Sequence, residues 1–175
     1  MRLKRLTKLL LETFDLSKIE SYPFKVMGLT TEFKTELDTV RVEFQRLENF
    51  EDTIEHLPVL IITDKFVGYN ILYSVSDVDT QYRKSGYSYL IKILKTVTDI
   101  IIETILKNDQ HTDKYQHIYC IGSVSKIGSL SSDDQKDMIY RQIAKNHLPP
   151  GYRISEIKFK GVNIDGIAIT KTKLR

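Results

Sequence analysis

The run from Tyr89 to Leu106 constrains this chain more than any other stretch. Ile91, Leu94, Thr98, Ile101 and Ile105 recur at helical spacing, and Leu90, Ile93, Val97, Ile100 and Ile102 widen the stripe until little of the circumference is polar. A helix of this kind must be covered on nearly every side. An apolar, aromatic strand candidate, Phe66 to Val75, precedes it, and a second, His117 to Ile121, follows. The three segments read as a β-α-β unit with the helix as its crossover. The intervening stretch Ser76 to Gln81 is polar, carries Asp77 and Asp79, and reads as a surface loop. The turn ending in Ser85-Gly86 is then expected at the helix N-terminus, where unpaired backbone N–H groups can receive an anion.

On the amino-terminal side the pattern changes to period two. Phe33, Thr35 and Leu37 alternate with polar residues, then Val40, Val42 and Phe44 do the same, with Asp38-Thr39 between them. This predicts an antiparallel hairpin with one wet face. Glu48 to Glu55 is acidic and reads as a loop or one helical turn. Val59 to Ile62, after Pro58, and Phe66 to Val75 lack alternation and are expected to be central strands. Residues 2 to 14 carry Leu3, Leu6, Leu10 and Phe14 on one face of an amphipathic helix, with Arg2, Lys4, Arg5 and Lys8 around the rest.

Beyond the central helix, Lys107 to Gln116 is polar, and Gly122 to Ser132 is rich in serine and glycine. A further helix is expected from Ser131 or Ser132 to about Asn146, stopped by Leu148-Pro149-Pro150-Gly151. Two strands, Tyr152 to Phe159 and Gly166 to Thr170, close the chain around a turn at Gly161 to Asp165. The expected architecture is one α/β (α+β) domain over residues 1–175: a helical segment at 1–16 and a core at 21–175. Its sheet is mixed, mostly antiparallel and flanked by helices.

Composition narrows the function. At 41% apolar and 28% charged residues, with a net charge of +3, the chain has an ordinary core-forming balance. The mild charge permits an anionic partner without demanding one. The lone Cys120 excludes a disulfide scaffold and fits a reducing compartment. No run of about 20 apolar residues is free of charge, because Lys92, Lys95, Asp99 and Glu103 interrupt the most apolar segment. A cytoplasmic protein without a membrane partner is the expectation. His56, His111, His117 and His147 lack metal-ligand spacing, so no metal site is expected, and there is no P-loop or G-x-S-x-G motif.

The element order, with two local patterns, resembles the GNAT N-acetyltransferase superfamily. There, Q/R-x-x-G-x-G/A joins a strand to the long central helix, and its amides bind the pyrophosphate of acetyl-coenzyme A. Arg83-Lys84-Ser85-Gly86-Tyr87-Ser88 supplies R-x-x-G-x-S in that place, with Ser88 where the family has Gly or Ala. The family also carries N-x-x-A-x-x-x-Y-x-x-x-G-F in the next helix. This chain has Tyr140 and then Gly151-Tyr152, while the asparagine expected after the fifth strand is not evident in Gly122 to Gly128.

The resemblance implies acetyl-CoA as cofactor, bound at Arg83, Lys84, Ser85, Gly86, Tyr87 and Ser88. It also implies an amine acceptor of unknown identity and Tyr140 as the general acid. Glu43, Asp77 and Asp79 are the acidic residues nearest to where such enzymes keep a base, and Glu43 is the choice. The stretch Leu94 to Ile101, with Ile139-Tyr140, further resembles small bacteriophage proteins of GNAT-like fold, which places the chain in a host cytoplasm or a virion.

Two other function classes stand beside the enzyme. One is a catalytically silent GNAT-fold protein with a structural or host-interaction role and a protein partner. The other is a nucleic-acid module using the basic residues near both ends, which the modest charge and dispersed aromatics disfavour.

Overall fold

The computed structural model describes residues 18–49, 54–56, 66–75, 78–110, 116–121, 148, 151–161 and 164–171. Seven strands and one helix lie within them: β1 (Thr30–Lys34), β2 (Thr39–Leu47), β3 (Ile54–His56), β4 (Phe66–Val75), α1 (Val78–Asp109), β5 (Gln116–Ile121), β6 (Tyr152–Phe159) and β7 (Ile164–Lys171). The strands form a single sheet in the order β1-β2-β4-β5-β7-β6-β3. Only β4 and β5 run parallel, which requires the long crossover that α1 provides. Every other neighbouring pair is antiparallel. The mixed, mostly antiparallel sheet expected from the sequence is therefore present.

Period-two patterning sets what each face of the sheet meets. Val40, Val42 and Phe44 of β2, Tyr69, Ile71 and Tyr73 of β4, Tyr119 and Ile121 of β5, and Ile167 and Ile169 of β7 share one buried cluster with Ile93, Val97, Ile100 and Ile101 of α1. Truncating a fully buried side chain such as Ile100 to alanine costs about 2–5 kcal/mol. On the other face, Ile118, Cys120, Ile157 and Ala168 form a smaller buried cluster. Further along that face, over β2 and β4, Arg41, Gln45, Leu72 and Ser74 are exposed and Glu43 is half-buried. One face is thus buried across the middle of the sheet, with Arg46, Glu156 and Lys158 exposed at its margins, while the other is buried around β5, β7 and Ile157 and exposed over β2 and β4.

The helix is covered away from the sheet as its sequence demands. The segment preceding β1 crosses it: the Tyr22 N–H donates to Thr96 Oγ1 at 2.9 Å, and Ser21 Oγ donates to Asp99. The Lys92 ammonium sits 4.2 Å above the Tyr22 ring, which stacks on Phe33. No residue from Ile91 to Leu106 is fully exposed.

Several boundaries differ from expectation: α1 runs on to Asp109, into the polar stretch expected to be loop-like, and β7 begins at Ile164, inside the expected turn. Thr35 and Leu37 belong to the hairpin turn: the Thr35 N–H donates to Asp38 O at 2.7 Å, and Thr35 Oγ1 accepts from the Asp38 N–H at 2.9 Å. This local side-chain bonding draws Thr35 out of the strand. Ile54–His56, at the end of the acidic stretch read as a loop, forms β3 by pairing with the edge of β6. The helix begins at Val78, so the segment read as a loop up to Gln81 is partly helical. The helix expected at 2–14, the strand at 59–62 and the helix ending near Asn146 lie outside the described residues.

Candidate functional site: the fork between two parallel strands

The parallel pair is joined at one end and open at the other. β4 and β5 are in register from Phe66↔Gln116 to Asn70↔Cys120, and no further. β4 continues to Val75, held on its other side by β2 through Val40↔Val75. β5 turns its last residue, Ile121, to Ile167 of β7. Among the described residues, no strand pairs with the β5-facing edge of β4 from Ile71 to Val75. Among the described residues the sheet is thus forked, and an edge without a neighbouring strand is a ready template for an extended ligand.

Asn70 is the last residue before the strands part. Its Oδ1 is buried and accepts no hydrogen bond. A buried carbonyl oxygen without a donor costs free energy on the order of 1–3 kcal/mol, so its presence at the fork calls for an explanation. Asn70, Leu72 and Ser74 alternate onto the open face of the sheet. There Leu72, 44% exposed, stands opposite Glu43 of β2. The Glu43 carboxylate is 3.6 Å from the Arg41 guanidinium, and both side chains are about half exposed. That separation is too long for a hydrogen bond, and an exposed pair of this kind holds its partners weakly. Glu43 is therefore placed one strand from the fork, with a carboxylate available to a ligand.

The other expected site residues are distributed unevenly. Arg83, Lys84, Ser85, Gly86, Tyr87 and Ser88 were expected at a helix N-terminus, but they lie in its second and third turns, because α1 starts at Val78. Within a continuous helix the N–H of residue 86 faces the carbonyl of residue 82, and only the first four N–H groups are free. A single glycine costs about 1 kcal/mol in a helix interior, too little to end a helix whose later turns are so deeply buried. Ser88 is exposed. Tyr89, next to it, is buried and bonds Thr35 Oγ1 through its hydroxyl at 2.8 Å, tying the hairpin turn to this part of α1. Asp79 falls in the first helical turn. Tyr140 and Asp77 lie outside the described residues.

A second polar cluster, not anticipated from the sequence, occupies the joined end. The Asp109 carboxylate, at the end of α1, accepts hydrogen bonds from Tyr119 at 2.9 Å and from Tyr152, and lies 3.0 Å from His117 Nδ1. Asn108 Nδ2 donates to the Tyr119 hydroxyl at 3.3 Å. Tyr69 stacks on Tyr119 with ring centroids 5.4 Å apart. Burial pushes the Asp109 carboxyl up, but the bonds from His117, Tyr152 and Tyr119 outweigh burial and hold it below its ordinary value. The Tyr119 hydroxyl is pushed well up by burial and then by the Asp109 charge.

The signal for this cluster was the pairing of His117 and Tyr119 at period two inside an apolar strand. The signal for the fork was Asn70, an amide in the middle of the apolar run Phe66 to Val75. Cys120 is buried between β4 and β7, and burial pushes its thiol up to about 12, so it is an inert core group. Among the described residues no cluster of His, Cys, Asp or Glu is suited to a metal ion, and no helix is long and apolar enough to cross a membrane. Compared with known proteins, the chain matches no family model, no curated protein and no solved structure, and its function is therefore read from geometry.

Proposed function

We propose that the chain is an acyl-coenzyme A-dependent N-acyltransferase of GNAT type, with the acyl-pantetheine arm laid in the fork between β4 and β5. The observation that carries this reading is that, among the described residues, β4–β5 pairing stops at Asn70↔Cys120 while β4 runs on to Val75. The open edge of β4 suits a pantetheine arm, whose two amides can pair with backbone as a strand would. The coenzyme diphosphate is directed to the beginning of α1, where the dipole is positive and four N–H groups are free. Arg83, Lys84, Ser85, Gly86, Tyr87 and Ser88 follow within the next turns and retain the resemblance that first suggested the coenzyme.

Chemistry follows by direct attack. An acceptor amine, relieved of a proton by Glu43 directly or through one water, adds to the thioester carbonyl. The C–N bond forms as the C–S bond breaks, and the departing thiolate takes a proton from Tyr140. Holding both reactants at the fork supplies the proximity such a reaction needs.

Calorimetric titration with acetyl-coenzyme A tests the reading. Saturable binding is expected, weakened tenfold or more by Thr80→Glu, which sets a carboxylate in the first turn of α1 beside the diphosphate. Tyr140→Phe is expected to lower turnover by about a hundredfold or more with little change in coenzyme affinity. Folded protein that takes up no coenzyme at millimolar concentration overturns the enzyme reading. A second reading, a GNAT-fold protein without coenzyme, is favoured by one observation: α1 is continuous through residues 83 to 88 and leaves their N–H groups engaged.

A further inference from the structure

We infer that β1 is a self-complementary edge through which two copies of this chain pair, antiparallel, about a two-fold axis at Phe33, joining their sheets into one. The pairing stands apart from the acyl-transfer reading and holds or fails without it.

The backbone fixes which groups the edge presents. Leu29 O accepts from the Phe44 N–H at 2.8 Å, and the Thr35 N–H donates to Asp38 O at 2.7 Å. Both bonds continue the register Thr31↔Val42 and Phe33↔Val40, so the odd-numbered residues of β1 turn their polar backbone groups to β2. Thr30, Glu32 and Lys34 turn theirs away. Met27 bridges Thr30 on that outer side, and Gly28, at a φ of 75°, makes the tight turn between them. The segment before Met27 then crosses α1, where the Tyr22 N–H bonds Thr96. Among the described residues no strand of the sheet lies outside β1, and the Glu32 and Lys34 side chains are exposed. Such an edge is a template for another strand.

Charge selects the strand and its register. Two copies of this edge can bond only with outward residues opposite outward residues, which centres the axis on one residue of β1. Centring it on Thr31 needs the outer side of Thr30, which Met27 occupies. Centring it on Glu32 or on Lys34 sets that residue against itself, and like charges directly opposite are destabilising. Centring it on Phe33 sets Glu32 of each copy against Lys34 of the other, and each such pair exchanges both of its N–H···O bonds. Glu32 also stands opposite Arg41 within its own chain. Across the open face the charges then alternate: Arg41, Glu32, and Lys34 of the second copy.

The exposed apolar side chains obey the same axis. Met27 at 73%, Leu29 at 38% and Leu37 at 37% exposure lie at the two ends of β1. Leu29 and Leu37 stand equally far in sequence from Phe33. The axis therefore carries Leu37 of each copy to the Met27–Leu29 end of the other, where the three can shield one another from water. The strand is short, so the expected product is a reversible dimer and not an obligate one.

Sedimentation equilibrium of the full chain tests the pairing, and a monomer–dimer equilibrium is expected. Glu32→Lys and Lys34→Glu each set like charges opposite at both positions about the axis, and each should raise the dissociation constant tenfold or more. The double variant Glu32→Lys/Lys34→Glu should return it to the native value. Loss in each single variant with return in the double belongs to the Phe33 register alone. Glu32→Pro removes an N–H that faces away from β2, so it should abolish the dimer and leave the far-ultraviolet circular dichroism of the chain unchanged.

A native chain that stays monomeric at millimolar concentration overturns the inference. So does a dimer whose dissociation constant is unchanged in Glu32→Pro, or one that the double variant forms no more tightly than the single variants do. The charge variants alter exposed side chains only, and they decide the matter if Glu32→Pro does not fold.

Discussion

The two ends of the β4–β5 pair are built to opposite rules. At the joined end, Asp109, His117, Tyr119, Tyr152 and Asn108 connect α1, β5 and β6 in a network that gives the Asp109 carboxylate three partners. At the forked end, no strand among the described residues pairs with the edge of β4 beyond Asn70, and Asn70 Oδ1 has no partner. Buried polar groups in low dielectric are strongly stabilising when satisfied and costly when not. A fold that saturates one end and leaves a buried acceptor unpaired at the other treats the two ends of one strand pair differently. The Tyr69–Tyr119 stack, inside the region of continuous pairing, joins the two strands just before they diverge.

The largest effect is expected from breaking the saturated end. Asp109→Leu leaves the Tyr119 and Tyr152 hydroxyls and His117 without their shared acceptor, at a cost of about 3–5 kcal/mol in urea unfolding. A carboxylate also sits unfavourably at the negative end of a helix dipole, so its donors, not its position, explain its retention. The pH dependence follows from its lowered value in the folded chain. Such a group contributes stability that is complete above its unfolded value, about 4, and lost as pH falls through the lower folded value. The native chain should therefore exceed Asp109→Leu by the full margin at neutral pH, and the gap should close in acid. A gap that is constant down to strongly acid pH would show that Asp109 acts by packing alone.

A smaller effect, confined to the fork, is expected from Gly166→Ala. A Cβ at Gly166 would lie 2.7 Å from the Ile121 carbonyl oxygen and 2.7 Å from Phe159 Cε2. Ile121 is the last residue of β5, so relief requires β7 to move from β5 where the strands part. A cost of about 1–3 kcal/mol is expected. Hydrogen exchange should show it as lost protection at Ile121 and Ile167, with His117 and Tyr119 unchanged. Equal loss at both ends would mean that the pair behaves as one unit.

Much of this division was legible in the sequence, and what was hidden has a common cause. The apolar runs at Phe66–Val75 and Gln116–Ile121 around a nearly all-apolar helix define the parallel pair, and the alternation at Thr39–Leu47 defines its neighbour. Periodicity reports which face of an element is buried, but it does not report where two paired elements part. The fork is a matter of register, which periodicity alone does not report, although Asn70 was its one local mark. Asp109 and Tyr152 are 43 positions apart and meet only because β7 places β6 two strands from β5. The strand β3 is likewise made by its partner's edge. The start of α1 was missed because its first turns are polar and contain Gly86, which reads as a break until the buried turns that follow are weighed against it.

The finest test of the saturated end removes one donor and leaves the carboxylate. Tyr152→Phe keeps the ring, over which Lys171 sits with its ammonium 6.0 Å from the centroid, and deletes only the hydroxyl that bonds Asp109. A net cost of about 1 kcal/mol is expected near neutral pH, because His117 and Tyr119 still serve the carboxylate. The same deletion removes one of the bonds that lower the Asp109 value, so the variant's Asp109 should protonate at a higher pH than the native chain's does. The two stability curves should then run parallel above the carboxylate range and draw together through it, as Asp109 is protonated in both. If the Tyr152→Phe curve is displaced uniformly instead, the hydroxyl contributes through contacts other than Asp109. The joined end would then be held by packing around Tyr69 and Tyr119, not by the charge at the end of the helix.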